Sequence, residues 1–230
     1  MLVPHGGDPN DPRFVRRLVE EIRPDVAFSY CCQRVFRRPL LSVFSQAINY
    51  HDGLLPAYRG VMATSFSIFA GESESGLSFH RMNERIDAGP ILLQDSIAID
   101  ERSCLAEVSR RKRFRAVAAL PRVLDRIAEG DPGRPQTGKG FYYSGDDWRA
   151  MTRLTQPGNA TRAEILRRVR AFGVVHLTVD GAVYPVSRLR DAAAPGPRTF
   201  RTADECLLKP DRFDGLPAIF YRPHLDATAR

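Results

Sequence analysis

The sequence lacks the features that membrane proteins and metal proteins require. No apolar stretch approaches the roughly 20 residues that cross a bilayer. Residues 1–7 lack the apolar middle of a signal peptide. The four cysteines have no paired spacing typical of metal ligands, and the adjacent Cys31 and Cys32 are poorly placed for a disulfide with each other. These absences predict a cytoplasmic protein with reduced thiols, no membrane partner and no metal site.

The composition is that of a soluble globular protein. With 230 residues, 43% hydrophobic and 27% charged, the chain can bury one core, or one core with a small appendage. The net charge of +7 could attract the phosphates of a nucleic acid or a nucleotide-sugar, or the anionic tail of a folate. The positive charges are spread over many arginines, so they do not establish nucleic-acid binding.

The first half of the chain alternates helical and strand patterns. Asp11 and Pro12 are typical of a helix start, and apolar residues then recur at helical spacing until Pro24. Further patterns predict strands over 26–30, 47–50, 76–82 and 89–94, and helices over 38–44, 62–70 and 103–129. Pro121 is expected to kink or split the last helix. This alternation predicts an α/β fold with a parallel sheet and helical crossovers.

The second half reads as a small β-rich module. Glycines and prolines are frequent over 130–140, which predicts a catalytic domain over 1–130 and a small C-terminal domain over 131–230. Thr161 and Glu164 have the spacing of a capping box at the start of a helix. A β-hairpin is predicted around 180–181, and further short strands are predicted near 206–208 and 218–221.

One pattern combines an amide, an imidazole and a carboxylate. Asn49 and His51 lie two residues apart on an apolar run, so on a strand both side chains leave the same face. The stretch that follows is Asp52-Gly53-Leu54-Leu55-Pro56, and Asp87-Ala88-Gly89 comes later. Taken singly, each of the three polar residues has an ordinary structural explanation as a cap, a turn or a hydrogen-bonded strand residue. Together they predict one reaction centre.

This pattern resembles the folate-dependent formyltransferase family, which includes the glycinamide ribonucleotide, methionyl-tRNA and amino-sugar formyltransferases. The family signature is Asn-x-His, a Leu-Leu-Pro loop and a later Asp-x-Gly, and the close resemblance covers about residues 22–100. The resemblance implies a Rossmann-like parallel sheet and 10-formyltetrahydrofolate as the co-substrate. It also implies that Asn49 and His51 stabilise the charge on the formyl oxygen and that Asp87 orients His51 and moves a proton.

The resemblance further implies two loops around the pterin ring of the folate, with contacts made largely by the backbone. The matching residues are Gln33, Arg34, Val35, Phe36, Asn83, Glu84, Arg85 and Ile86. A metal ion and a covalent nucleophile are both unnecessary for this chemistry, because the donors supply the electrostatics.

The sequence departs from the family pattern in two places. Asp52 and Gly53 stand where the family often has proline and serine. The family also normally opens with an apolar strand and a glycine-containing turn, and these are absent before the helix at residue 12. We therefore expect an N-terminally shortened formyltransferase fold, which reflects a late start, a truncated sequence, or a short protein that covers its exposed sheet edge by forming a homo-oligomer.

The predicted function is the transfer of a formyl group to the amine of a small molecule. A nucleotide-linked amino sugar or a natural-product intermediate is the favoured acceptor. Three alternatives remain open: methionyl-tRNA formylation, hydrolysis of formyltetrahydrofolate, and a non-catalytic scaffold that keeps the fold. A tRNA acceptor is less favoured, because the C-terminal module is short and its charges form no stripe.

Overall fold

The computed structural model describes residues 7–32, 34–196 and 198–211, and these form two compact units. Within the described residues, the first unit contains 7–63, 74–98 and 109–142 apart from residue 33. The second unit contains 64–73, 99–108 and the described residues from 143 onwards. The domain boundary at 130/131 stays a prediction.

Helices and strands alternate through most of the chain. The helices are α1 Pro12–Arg17, α2 Arg38–Leu41, α3 Ala63–Ala70, α4 Leu105–Ala128, α5 Gly145–Thr152 and α6 Arg162–Phe172, with a π-helical turn at Leu18–Ile22 and a 3-10 turn at Pro157–Asn159. The strands are β1 Val26–Tyr30, β2 Gln46–His51, β3 Arg59–Gly60, β4 Glu74–Arg81, β5 Ile91–Ala98, β6 Tyr142–Tyr143, β7 Arg153–Leu154, β8 Val175–Val179, β9 Ala182–Val186, β10 Arg188–Asp191, β11 Phe200–Arg201 and β12 Leu207–Asp211.

The first unit is built on a four-stranded sheet in the order β1-β2-β4-β5. Strands β1 and β2 are parallel, joined by a crossover that contains α2, whereas β2 pairs antiparallel with β4 and β4 with β5. The α/β fold class is confirmed, and the parallel pairing that we predicted is limited to β1 and β2. Because only the short segment 82–90 joins β4 to β5, the chain reverses there rather than crossing over.

Apolar residues along one side of helix α4 pack against the middle of this sheet. Helix α4 contributes small and branched apolar residues at helical spacing, and the strands contribute larger ones. The buried cluster consists of Ile48, Tyr50, Leu77, Phe79, Leu92, Leu93, Ala116, Ala119, Val123 and Ile127. Helix α4 runs without a break through Pro121, so the predicted split does not occur. Val117, four residues before the proline, is 67% exposed, so the backbone group that loses its partner is on the hydrated side of the helix.

Two helix starts follow the sequence signals. The Asp11 carboxylate accepts from the backbone N–H of Arg13 and Phe14, and the Thr161 hydroxyl accepts from that of Glu164. A capping box that we did not predict joins Ser144 to Asp147 at the start of α5. These contacts satisfy backbone donors that a helix leaves without a partner at its N-terminus.

The second unit combines helices with two small sheets of short strands. Strands β7, β8 and β9 form one sheet, and β10, β12 and β11 form another. The predicted hairpin joins β8 to β9 through Asp180 and Gly181, whose φ values of 50° and 76° suit a tight two-residue turn. The hydrophobic core of the second unit consists of Leu154, Ala160, Ile165, Val175, Leu177, Val179 and Val186. The strand predicted near 218–221 lies outside the described residues.

Three findings bear on membrane, metal and redox chemistry. Among the described residues, no helix has both the length and the apolar character needed to span a bilayer. The same residues contain no group of three or more histidine, cysteine or acidic side chains arranged to hold a metal ion. Cys31, Cys32, Cys104 and Cys206 are all free thiols, as the sequence predicted.

Candidate active site

The three predicted catalytic residues meet within the first unit. Asn49 and His51 leave the same face of β2, and Asp87 comes from the loop between β4 and β5. His51 Nδ1 lies 3.4 Å from Asp87 Oδ2, and Asn49 Nδ2 donates to Asp87 Oδ1 at 3.4 Å. The carboxylate therefore contacts both residues, although Asp87 lies 38 positions from Asn49 in the chain.

Backbone geometry holds Asp87 in an unusual conformation. Its φ of 49° lies in the left-handed region, which is uncommon for a residue with a side chain. The Gly60 N–H donates to Oδ2 at 2.9 Å. Gln136 donates from Nε2 to the carbonyl oxygens of Asp87 and Gly89, both at 2.8 Å. A Cβ on Gly89 would lie 1.8 Å from the carbonyl oxygen of Arg81, so only glycine fits there.

Gln136 was missed by the sequence analysis. It lies in the stretch over 130–140 that we interpreted as a connection between domains, and such stretches usually carry no site. In the structure Gln136 also accepts from Arg59 Nη2 at 2.8 Å. Arg134 exchanges backbone hydrogen bonds with Ile91 at 2.8 Å in both directions. The segment thus packs against the loop that carries Asp87 and supports the shape of that loop.

The electrostatics keep Asp87 ionised. Burial raises the pKa of Asp87, but the hydrogen bond from His80, the charge of His51 and the Gly60 N–H together bring it below its ordinary value. The carboxylate side chain is 10% exposed, and the His51 side chain is 5% exposed. A buried carboxylate that stays charged in this way can orient an imidazole and accept a proton.

Both ring nitrogens of His51 have partners. Nδ1 faces Asp87, and Nε2 lies 2.8 Å from the carbonyl oxygen of Tyr58. Since a carbonyl oxygen can only accept, Nε2 carries a hydrogen. The imidazole is charged whenever Nδ1 also holds a proton toward Asp87.

His80 is a second histidine at the site, and the sequence analysis did not identify it. It lies directly opposite Asn49 in the antiparallel pairing of β2 and β4. His80 Nε2 lies 3.3 Å from Asp87 Oδ1 and 3.2 Å from Asn49 Nδ2. The strand over 76–82 was predicted, but its neighbour in the sheet and the register were not, so no sequence signal placed His80 beside Asn49.

Side chains from three elements fix the loop that follows His51. Ser78 Oγ donates to the carbonyl of Gly53 at 2.7 Å, and Gln94 Nε2 donates to the carbonyl of Leu55 at 2.7 Å. Lys112 Nζ donates to the carbonyl of Asp52 at 2.6 Å. A Cβ on Gly53 would lie 2.7 Å from the Cβ of Ala63 and 2.8 Å from His51 Nε2. The glycine that replaces the family serine is therefore required by close packing.

The residues predicted to contact the pterin lie on two loops. Val35 is 50% exposed and Ile86 is 42% exposed. An ion pair at 3.7 Å joins Glu84 Oε1 of the second loop to Arg38 Nε of α2, the helix that follows the first loop. Described members of the predicted set are Arg34, Val35, Phe36, Asn83, Glu84, Arg85 and Ile86, whereas Gln33 lies outside the described residues.

Comparison with known proteins identifies the family of the chain. Residues 10–124, which are half of the chain, match the formyl transferase family. The chain belongs to the formyl transferase family. The resemblance seen in the signature residues is thereby confirmed.

Two bacterial proteins are similar to the chain over more than half of its length. The GDP-perosamine N-formyltransferases of Brucella melitensis and Brucella abortus are each 37% identical to the chain over 145 residues, which cover 61% of this chain and 55% of theirs. The chain thus spans about half the length of these curated formyl transferases.

Solved formyl transferase structures have the same fold. A sugar N-formyltransferase from a Shewanella species superposes with a TM-score of 0.67 at 26% identity, covering 77% of this chain and 73% of that one. HypX from Aquifex aeolicus in complex with tetrahydrofolic acid superposes with a TM-score of 0.70 at 18% identity, covering 86% of this chain and 37% of that one. The predicted formyltransferase fold is confirmed.

Proposed function

We propose that this protein is an N-formyltransferase that moves a formyl group from 10-formyltetrahydrofolate to the amine of a small molecule. The observation that carries the proposal is the contact of Asn49 and His51 with the two oxygens of the Asp87 carboxylate. An amide, an imidazole and a buried carboxylate are the groups that this transfer needs. Membership of the formyl transferase family supports the reaction class.

The chemistry assigns a task to each residue. The acceptor nitrogen forms a bond to the formyl carbon while the bond from that carbon to the folate nitrogen breaks. The amine loses one proton and the folate nitrogen gains one, so the products are a formamide and tetrahydrofolate. Asn49 and His51 donate to the formyl oxygen as its negative charge develops, and for this the Nε2 hydrogen of His51 turns away from the carbonyl of Tyr58. Asp87 accepts the proton directly or through His51, because its carboxylate is ionised at neutral pH.

The folate is proposed to bind between the loops at 34–36 and 83–86. The ion pair between Arg38 and Glu84 supports this proposal, since Arg38 begins the helix that follows the first loop and Glu84 lies on the second. The side chains of residues 83–86 are exposed, so they are accessible to a ligand. Contacts made largely by backbone atoms would explain why the side chains in these loops carry little recognisable pattern.

The proposed acceptor is a nucleotide-linked amino sugar. This acceptor is supported by two of the relatives, a GDP-perosamine N-formyltransferase and a sugar N-formyltransferase. The net charge of +7 also suits a substrate that carries phosphate groups. An amine from a natural-product pathway is the second small-molecule class that the site chemistry permits.

Turnover of purified protein tests the proposal and its alternatives together. We would supply 10-formyltetrahydrofolate with nucleotide-linked amino sugars, with initiator methionyl-tRNA, or with no acceptor, and would follow both products by mass spectrometry. The proposal expects a formylated amino sugar. Formylation of tRNA alone, release of formate without an acceptor, or no turnover would instead indicate a tRNA enzyme, a hydrolase or a scaffold.

Site variants connect the activity to the described geometry. Asn49→Ala, His51→Ala and Asp87→Asn should each lower kcat at least about 100-fold, since loss of one donor to a developing oxyanion commonly costs this much. Asp125→Asn, on the exposed face of α4, is the matched control and should keep wild-type activity. Full activity in Asp87→Asn with an intact fold would contradict the assignment.

Assembly and location stay predictions. Among the described strands, β1 pairs only with β2, so it is an edge strand of its sheet. Three apolar side chains of β1 are exposed. Val26, Phe28 and Tyr30 are 38%, 39% and 48% exposed. An exposed apolar edge favours association, so the predicted homo-oligomer would form through β1. The predicted cytoplasmic location rests on composition.

A further inference from the structure

His80 is placed to control the amide of Asn49. It belongs to β4, is 2% exposed, and faces Asn49 across the antiparallel pair. Side chains directly opposite each other in such a pair leave the same face of the sheet and touch. The contact between Asn49 Nδ2 and His80 Nε2, at 3.2 Å, is therefore a consequence of the strand register.

The backbone fixes which nitrogen of neutral His80 carries the hydrogen. Nδ1 lies 2.9 Å from the carbonyl oxygen of Arg81. A carbonyl oxygen can only accept, so Nδ1 donates and holds its hydrogen. In the neutral ring Nε2 is consequently an acceptor, and its lone pair points toward the Asn49 amide.

Neutral His80 competes with a substrate for a hydrogen of Asn49. Nδ2 of an asparagine carries two hydrogens. Asp87 Oδ1 at 3.4 Å and His80 Nε2 at 3.2 Å both lie within reach of them. With both acceptors in place, Asn49 is a weaker donor to a formyl oxygen.

A proton on His80 changes this arrangement. Protonated Nε2 no longer accepts from Asn49, and it donates instead to Asp87 Oδ1, which lies 3.3 Å away. The charged and titratable groups around His80 are Asp87 and, on the other carboxylate oxygen, His51.

We propose that His80 is a positioning residue, and that a proton on its Nε2 releases one N–H of Asn49 for the formyl oxygen. The inference rests on the proposed formyl transfer and deepens it, because it makes the donor function of Asn49 depend on a residue that does not touch the substrate. It predicts that the loss of this proton lowers kcat while KM for the folate stays nearly constant.

Nuclear magnetic resonance of the wild-type protein tests the inference without turnover. With 15N-labelled histidine and asparagine, His80 Nδ1 should carry a hydrogen at every pH, and Nε2 should gain one as the pH falls. One Nδ2 hydrogen of Asn49 should become faster to exchange with solvent over the same titration. A neutral His80 with its hydrogen on Nε2 would overturn the inference even if the protein is a formyltransferase. Exchange of the Asn49 Nδ2 hydrogens that stays constant over the titration would overturn it as well.

Kinetics provide the second test. In the wild type, kcat should fall by about 100-fold as His80 loses its proton, in addition to any fall caused by His51. In His80→Leu and His80→Met no acceptor faces Asn49, so that component of the fall should disappear. His176→Leu, on β8 of the second unit, is the matched control and should keep the wild-type profile. An unchanged profile in both folded His80 variants would refute the inference, whereas no turnover in any of these proteins would refute the proposed function and leave the resonance test to decide.

Discussion

Lys112 supports a prediction about how stability depends on pH. The residue is 1% exposed, and its Nζ donates to the carbonyl of Asp52, next to His51. Burial lowers the pKa of Lys112 to about 8 from an ordinary value of 10.5, and the charge of Asp52 opposes this shift. The folded protein therefore binds this proton more weakly than the unfolded chain does.

The sign of the effect follows from proton linkage. Between pH 8 and 10.5 the unfolded chain holds the proton and the folded protein has released it, so the free energy of unfolding rises with pH. One pKa unit corresponds to about 1.4 kcal/mol, so the full contribution is about 3 kcal/mol. About 2 kcal/mol of it falls between pH 7 and pH 9.5.

Lys112→Met should remove this contribution and keep most of the side-chain volume. Urea unfolding at both pH values would give the change in unfolding free energy for each protein. The change should be about 2 kcal/mol more favourable in the wild type than in Lys112→Met. Lys139→Met, at an exposed lysine, is the matched control and should follow the wild type, because the other titrating groups are common to all three proteins. Equal changes in the wild type and Lys112→Met would refute the reasoning.

Two further predictions concern the loop that carries Asp87. Gln136→Leu removes the donor to the carbonyls of Asp87 and Gly89, so the free energy of unfolding, measured in urea, should fall by about 2 kcal/mol; an unchanged value would mean that water replaces the donor. Gly89→Ala places a Cβ 1.8 Å from the carbonyl of Arg81 and should lower that free energy by about 3 kcal/mol or more, whereas Gly196→Ala, with no atom within 4 Å of its added Cβ, should stay within about 0.5 kcal/mol. Equal thermal midpoints for the two alanine variants would contradict this account.

Local sequence patterns were sufficient to predict most of the secondary structure. Asp11 and Thr161 start helices because their side chains accept from backbone donors nearby in the sequence. The turn at Asp180 and Gly181 likewise follows from residues that tolerate positive φ. Pro121 did not interrupt α4, because tertiary packing of the apolar stripe outweighs one lost backbone hydrogen bond on the exposed face.

The pairing of strands was harder to predict. The βαβ alternation indicated parallel neighbours, yet β2 lies beside β4 in an antiparallel pair. Hydrophobic alternation reports which face of a strand is buried, and it says nothing about which strand lies next to it or in which direction. That missing information concealed His80, since its role arises only from its position opposite Asn49.

The sequence by itself determined the family, and it predicted a formyl-transfer chemistry and three residues of the candidate site, because Asn49, His51 and Asp87 stand at recognisable spacings in short motifs. Only the tertiary structure decided how these residues are held. Asp87 is contacted by His80 of β4, and its backbone carbonyl accepts from Gln136, which lies 49 positions away in the chain. Such partners depend on strand register and on the path of a loop, which arise from packing over the whole unit and leave no local pattern in the sequence.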